Sequence, residues 1–273
     1  MSKETVYGVA DGIATITLNR PDKLNAWTAV MEEEVRSGVE QAQRDRSVRV
    51  IVLTGAGRGF CAGADMSLLE AVASKGVGDG NREFLRGGAV REGVRPDLQT
   101  KFSYFLAVDK PVLAAINGPT VGLGLVIALY CDLRFASDTA RFSTVFARRG
   151  LIAEYGIAWL LPRIVGLPNA LDLLLSARQI DAVEAKRIGL VNEVFPHESF
   201  LDQVRSYARE LASAVSPRSL RVIKRQVYES MFQSLSEAFD SAVDEMVASL
   251  RSEDFKEGVA HFLEKRSPAF TGR

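Results

Sequence analysis

The sequence predicts an α/β fold in which strands alternate with helices and a helical region closes the chain. Three observations carry that expectation. Short apolar runs, such as residues 112–116, read as fully buried strands. Two such runs pass through glycine-rich turns straight into helix starts, at residues 55–65 and 117–124. Beyond residue 197 no strand pattern recurs and consecutive helices are expected. The expected organisation is therefore a core over residues 1–197, holding any site, and a helical region over 198–273.

Taken in order, the elements follow from local signals. Asp11-Gly12 separates two strand patterns, residues 6–9 and 13–19, and is a hairpin signal. A helix is expected from Asn25, with Trp27, Met31, Val35 and Val39 on one face. Residues 48–53 form the next strand, and the glycines of residues 54–59 break it. Asp65 stands where a helix N-cap belongs, ahead of Met66. Residues 74–96 are rich in glycine and charge and read as a mobile loop over a site. Residues 97–108 read as a helix, 112–116 as a strand and 125–130 as a buried helix. Short strands are expected at 133–136 and 140–143, then an irregular loop over 146–156 and a helix closing at 159–166. A helix at 168–177 follows. The pattern Asp181-x-x-Glu184 is a capping box for a helix ending at Gly189. A last strand is expected at 190–195, and helices at 199–214, 217–230, 234–250 and 252–264.

The bulk properties exclude several classes of function. Of 273 residues, 47% are apolar and 25% charged, an ordinary globular profile. Lys+Arg and Asp+Glu both number 34, so no net field draws the chain to nucleic acid or an anionic membrane. The start, MSKETVYGVADG, has no apolar signal-peptide core. The apolar stretch 111–132 is broken by Asn117-Gly118-Pro119, so a membrane span is not expected. Cys61 and Cys131 are expected to be free buried thiols in a reducing cytoplasm. The two histidines, His197 and His261, cannot build a metal cluster, and no G-x-S-x-G elbow occurs.

A strand, a glycine turn and a helix start together present backbone N–H groups outward. Such a place binds phosphate or stabilises an oxyanion, and equally it can be a tight turn between two core elements. Two such turns suggest a pair of donors converging on one oxygen.

Here the sequence resembles a known family, the enoyl-CoA hydratase/isomerase (crotonase) superfamily. The resemblance is carried by Arg20-Pro21 with Asn25-Ala26, by Gly55-x-Gly57-x-Gly59-Phe60-Cys61-Ala62-Gly63-Ala64-Asp65, and by Lys110-Pro111-Val112. It continues through Asn117-Gly118, Gly122-x-Gly124, Cys131-Asp132, the run 161–166, the run 185–192 and the tail at Phe255-Lys256-Glu257-Gly258 and Phe262-Leu263. It implies a spiral of ββα units, an acyl-CoA thioester as ligand, no cofactor beyond the coenzyme A of the substrate, and a homotrimer or hexamer with the helical region at subunit contacts. It places the oxyanion-hole donors at the backbone N–H of Ala64 and Leu123. It lays coenzyme A along Lys23, Leu24, Ala26, Ala62 and Ala64, with Phe262 and Lys265 reaching the nucleotide.

The resemblance also puts two carboxylates of a hydratase at positions that here hold Val126 and Phe146. Neither side chain moves a proton. Glu154 matches the acidic position of several double-bond isomerases of the family. An acid flanked by Ile152, Ala153, Tyr155 and Ile157 that faces an apolar pocket loses hydration, which raises its pKa and strengthens it as a base. As a mere loop residue it would be solvated or paired with Arg148 or Arg149. The expected activity is double-bond isomerisation with Glu154 as base. A hydratase using Glu154 with another group, and a non-catalytic acyl-CoA binding protein, are the competing readings.

Overall fold

Asp11 and Gly12 both take positive φ, which matches the right-handed twist of the two strands they join. In the computed structural model, which describes residues 3–76, 85–87 and 93–273, these strands are β1 (Thr5–Ala10) and β2 (Ile13–Leu18), paired antiparallel. Every later partner in the main sheet is parallel: β3 (Val50–Gly55), β4 (Val112–Ile116), β6 (Leu133–Ser137) and β9 (Glu193–Phe195), in the order β1-β2-β3-β4-β6-β9. All residues of β4 are buried, as a central parallel strand covered on both faces requires. A smaller sheet joins β5 (Thr120–Val121), β7 (Arg141–Ser143) and β8 (Ile180–Asp181). Single bridges add Cys61 beside Thr120 and Trp27 beside Ala64.

The helices are α1 (Ala29–Arg44), α2 (Met66–Lys75), α3 (Tyr104–Ala107), α4 (Leu123–Tyr130), α5 (Ile157–Val165), α6 (Leu167–Ser176), α7 (Ala182–Arg187), α8 (Phe200–Ala214), α9 (Pro217–Ser230), α10 (Leu235–Leu250) and α11 (Glu253–Glu264). Their starts obey side-chain capping: Thr28, Asp181, Ser216, Ser234 and Ser252 each accept a backbone N–H of the first turn. Strands end at Phe195, close to the expected boundary. The helix just beyond it is not set apart from the sheet, because Phe200, Val204, Ala208 and Ala212 of α8 pack on Ile13, Val50, Val52 and Leu113.

Three expectations are corrected. The helix expected from Asn25 starts at Ala29, because Asn25 takes φ +55 and its amide is committed to the first glycine loop. The helix expected over 97–108 is only a 3-10 turn at Pro96–Leu98 and the single turn α3. Between them Phe102 takes φ +69, and the Ser103 hydroxyl binds the backbone of Leu98 and Thr100 instead of leaving a helix ladder intact. The strand expected over 190–195 is only β9, since Leu190 and Val191 donate back to Ala185 and finish the turn after α7. Of the loop read over 74–96, residues 77–84 and 88–92 lie outside the described residues.

A buried ion pair fastens α9 to the core. Lys224 contacts Asp132 at 2.8 Å and donates to the carbonyls of Phe105 and Lys110, while Tyr228 donates to Asp132. Asp132 directly follows Cys131, the C-cap of α4. Removing one partner of such a pair strands a buried charge. Lys224→Met is therefore expected to lower unfolding stability by about 3 kcal/mol, read from the urea midpoint.

Candidate active site

Two buried asparagines shape the first glycine turn. Asn25 donates to the carbonyls of Ala56 and Gly59 and accepts from the Arg20 N–H; Asn117 donates to Gly57 O and accepts from Gly55 N–H. Side chains are excluded both within the first turn and where the second meets it. A Cβ on Gly55 would lie 2.2 Å from Gly59 O, and one on Gly118 would lie 2.1 Å from Arg58 O. Past the turn the chain runs alongside residues 119–123. Phe60 and Cys61 N–H both donate to Pro119 O, and Val121 N–H donates to Cys61 O.

This pairing brings Gly63 to the start of α4. A Cβ built on Gly63 would stand 3.1 Å from Val121 O and 3.9 Å from Leu123 N. Trp27 N–H donates to Gly63 O and Asp65 N–H donates to Trp27 O, so the Ala64 N–H between them points to the other side. Leu123 is the first residue of α4, where an N–H has no helical acceptor. Among the described residues neither the Ala64 nor the Leu123 amide has a hydrogen-bond acceptor. Two free amide donors thus stand on adjoining turns, the arrangement that binds a carbonyl oxygen gaining negative charge.

Asp65 accepts from the Ser67 N–H and hydroxyl and pairs with Arg20 at 2.8 Å. The hydrogen bonds from Ser67, then that from Arg20, hold its carboxyl at about 2. That is the capping role the sequence suggests, with an ion pair added.

Lys23, Leu24, Ala26, Ala62 and Ala64 fall on two segments laced together, with Ala62 N–H donating to Leu24 O at 3.0 Å. Lys23 is exposed and Leu24 takes φ +48. Among the described residues, no hydrogen bond or ion pair brings Phe262 and Lys265 to this rim. Phe262 is 77% exposed on α11, and Lys265 is its C-cap. That helix is anchored elsewhere, through Asp254 to Ser216 and to the N–H groups of Thr271 and Gly272.

Val126 is fully buried and Phe146 is 4% exposed, with its ring 3.9 Å from where a Gly122 Cβ would be. The wall beside the second turn therefore has no acid at these positions. Glu154 is half-buried, with no hydrogen bond or ion pair on its carboxylate among the described residues; Arg148 instead reaches Ser176 O. Desolvation pushes the Glu154 carboxyl up.

An aromatic cluster ties the Glu154 loop to both turns. Tyr155 meets Phe102 edge-on at 5.4 Å, and Phe102 meets Trp27 at 6.0 Å and Tyr130 at 6.2 Å. Trp27 bridges Ala64, and Tyr130 ends α4 and donates to Tyr155 O. Lys101 pairs with Glu32 at 3.1 Å, and its ammonium lies 5.6 Å from the Tyr155 ring centroid. Burial, with Glu154 and Glu32 nearby, pushes the Tyr155 hydroxyl up to about 12. Sequence reasoning missed Phe102 as the hub of this cluster. The only sequence signal was Thr100 and Ser103 interrupting the apolar pattern.

Both thiols are buried, and desolvation pushes each up to about 12, so neither is a nucleophile. Among the described residues no three His, Cys, Asp or Glu side chains gather to hold a metal ion, and no helix is long and apolar enough to cross a membrane. A cavity of about 550 Å³ between α1 and α9 includes none of the residues of the two turns or the Glu154 loop.

The family described as enoyl-CoA hydratase/isomerase matches residues 8–273. The "Probable enoyl-CoA hydratase" of Rhodobacter capsulatus is 38% identical, with all of both chains covered. The 1,2-epoxyphenylacetyl-CoA isomerase of Escherichia coli is 34% identical over 97% of each chain. Among solved structures, an enoyl-CoA hydratase from Bacillus anthracis superposes with a TM-score of 0.87 at 28% identity, covering 99% of this chain and 100% of the other. The α/β architecture is thus that of the crotonase fold, and the chain belongs to the enoyl-CoA hydratase/isomerase family.

Proposed function

We propose that this protein is an enoyl-CoA isomerase that moves a 3-ene into conjugation as the 2-ene, with Glu154 as its base. The observation that carries the reading is a half-buried Glu154, without a side-chain partner among the described residues, beside a site whose Val126 and Phe146 positions hold no acid. The thioester oxygen would rest on the Ala64 and Leu123 N–H groups. Glu154 takes a proton from the carbon next to the carbonyl, the C–H electron pair passes into the dienolate, and the oxygen's charge is held by the two amides. The same proton returns at the carbon two bonds further on, so no atom is gained or lost. Water addition asks for a second group that activates water, and the wall supplies none at the expected positions.

Incubation with a 3-enoyl-CoA is expected to raise the conjugated-thioester absorbance. A 3-hydroxyacyl-CoA formed from a 2-enoyl-CoA, without isomerisation, would establish the hydratase reading instead; saturable binding without turnover would establish a binding protein. The relative named 1,2-epoxyphenylacetyl-CoA isomerase favours a second reading, rearrangement of an epoxidised arylacyl thioester at the same oxyanion site. Turnover of that thioester and not of a 3-enoyl-CoA would select it.

Glu154 must be ionised to act. With its pKa raised by burial, kcat/KM is expected to fall as pH drops through a value above that of an ordinary glutamate. Asp65, held at about 2, stays ionised throughout that window and cannot supply the limb. An acid limb at or below the ordinary glutamate value would reject Glu154 as the titrating base.

Coenzyme A would lie along Lys23, Leu24, Ala26, Ala62 and Ala64 as part of the substrate, and the step calls for no further cofactor. Phe262 and Lys265 would meet the nucleotide from a neighbouring subunit of a homotrimer or hexamer built through the 198–273 region. The apolar side chains exposed on α10 and α11, Leu235, Phe239, Phe262 and Leu263 among them, support such packing. Light scattering at a monomer mass would remove that assignment.

A further inference from the structure

The Glu154 loop is held from inside by Tyr130, and a second contact holds it from outside. Arg163 lies 4.0 Å from the ring centroid of Trp159, Trp159 stacks on Phe232 at 5.5 Å with 13° between planes, and Arg95 lies 4.5 Å from the ring centroid of Phe232. The four side chains form one column, cation, ring, ring, cation. Its parts come from separate segments. Trp159 and Arg163 are on α5, Phe232 sits in the turn between α9 and α10, and Arg95 is the residue ahead of Pro96. Guanidinium groups favour the electron-rich faces of aromatic rings, so each arginine is attracted to the ring it adjoins.

The column matters because α5 starts where the Glu154 loop ends. Tyr155 takes φ +49 and Gly156 φ +79, and the Ile157 and Trp159 N–H groups donate to Glu154 O and Gly156 O. A tyrosine at positive φ is strained and persists only while its surroundings hold it. Among the described residues Glu154 has no side-chain partner that would orient it, so the direction of its carboxylate follows the backbone between the Tyr130 contact and α5.

We propose that the Arg163–Trp159–Phe232–Arg95 column is a positioning device for Glu154, clamping α5 to the α9–α10 turn and to Arg95. Trp159 and Phe232 are positioning residues; neither touches the reacting atoms. The proposal rests on Glu154 being the base.

Phe232→Leu keeps apolar bulk and removes the stack. Its kcat on a 3-enoyl-CoA is expected to fall roughly 10-fold or more, with KM within about twofold of native, because misplacing a base costs rate rather than binding. Phe232→Tyr restores the stack and is expected to keep native kcat. Of the two tryptophans, Trp27 is only 2% exposed, so acrylamide quenching reports Trp159. Quenching should rise in Phe232→Leu and not in Phe232→Tyr. Trp159→Leu, assayed alongside, should repeat the loss of kcat. Native kcat in both Phe232→Leu and Trp159→Leu, with Glu154→Gln inactive, overturns the positioning role alone. Equal losses in Phe232→Leu and Phe232→Tyr also overturn it. Full activity of Glu154→Gln instead overturns the assignment of the base.

Discussion

Glu154→Gln is expected to lower kcat for isomerisation of a 3-enoyl-CoA by about 10³-fold while leaving CoA-thioester affinity within a few-fold of native. The magnitude is that of a positioned general base, about 10²–10⁴. Glutamine keeps the shape and the half-buried position of the side chain but cannot accept the proton. Because the Glu154 carboxylate makes no ion pair or hydrogen bond among the described residues, its removal breaks no structural contact. Its effect on folding has a definite sign. Burial raises the folded-state pKa, so the unfolded chain releases this proton at lower pH than the folded one. Glu154 therefore costs stability once pH exceeds the unfolded value, and the glutamine variant should be at least as stable as the native protein at neutral pH. A variant that is inactive yet no less stable, with binding intact, is the signature of a base. One that is unstable, or that turns over normally, removes Glu154 from the mechanism.

How far these features were readable from the chain differs by kind. Strands and capped helices were legible because their signals are local: Asp11-Gly12 fixes a hairpin, and Asp181 caps the Glu184 N–H as expected, although the Glu184 carboxylate turns to Arg178 and leaves the expected box half-formed. The two glycine turns by themselves only suggested converging donors, and the resemblance named Ala64 and Leu123 as those donors. The physical cause of their pairing is long-range: Gly63 and Gly124 each stand where a Cβ would meet the other turn. The aromatic hub at Phe102 was not legible, since a positive φ at phenylalanine is imposed by tertiary contacts and leaves no trace in composition. The Trp159–Phe232 stack was likewise hidden, because residues far apart in sequence meet only once α9 is fastened to the core by Lys224 and Asp132.

Gly124→Ala is expected to damage the proposed oxyanion site through a backbone clash. The residue is inside α4 with ordinary helical geometry, so alanine favours the helix locally. The cost is contact. The added Cβ would lie 2.2 Å from Cys61 O, 2.8 Å from Cys61 Cβ and 2.9 Å from Cys61 C. None of these is the far end of a flexible side chain. Cys61 O already accepts from Val121 N–H, so the methyl drives a wedge into the contact that aligns the two turns. Relief requires moving α4 away from residues 61–64, which separates the Leu123 and Ala64 N–H groups. Overpacking of this kind costs about 1–3 kcal/mol of stability. Loss of alignment of one oxyanion donor costs about 10²–10³ in kcat. The two effects can be told apart by assaying at a temperature where circular dichroism shows the variant fully folded. A folded Gly124→Ala with native kcat would mean that the two amides do not act on the thioester oxygen together. A folded variant with kcat reduced at least 10²-fold and the Glu154 acid limb unchanged would place the loss at the oxyanion donors and not at the base.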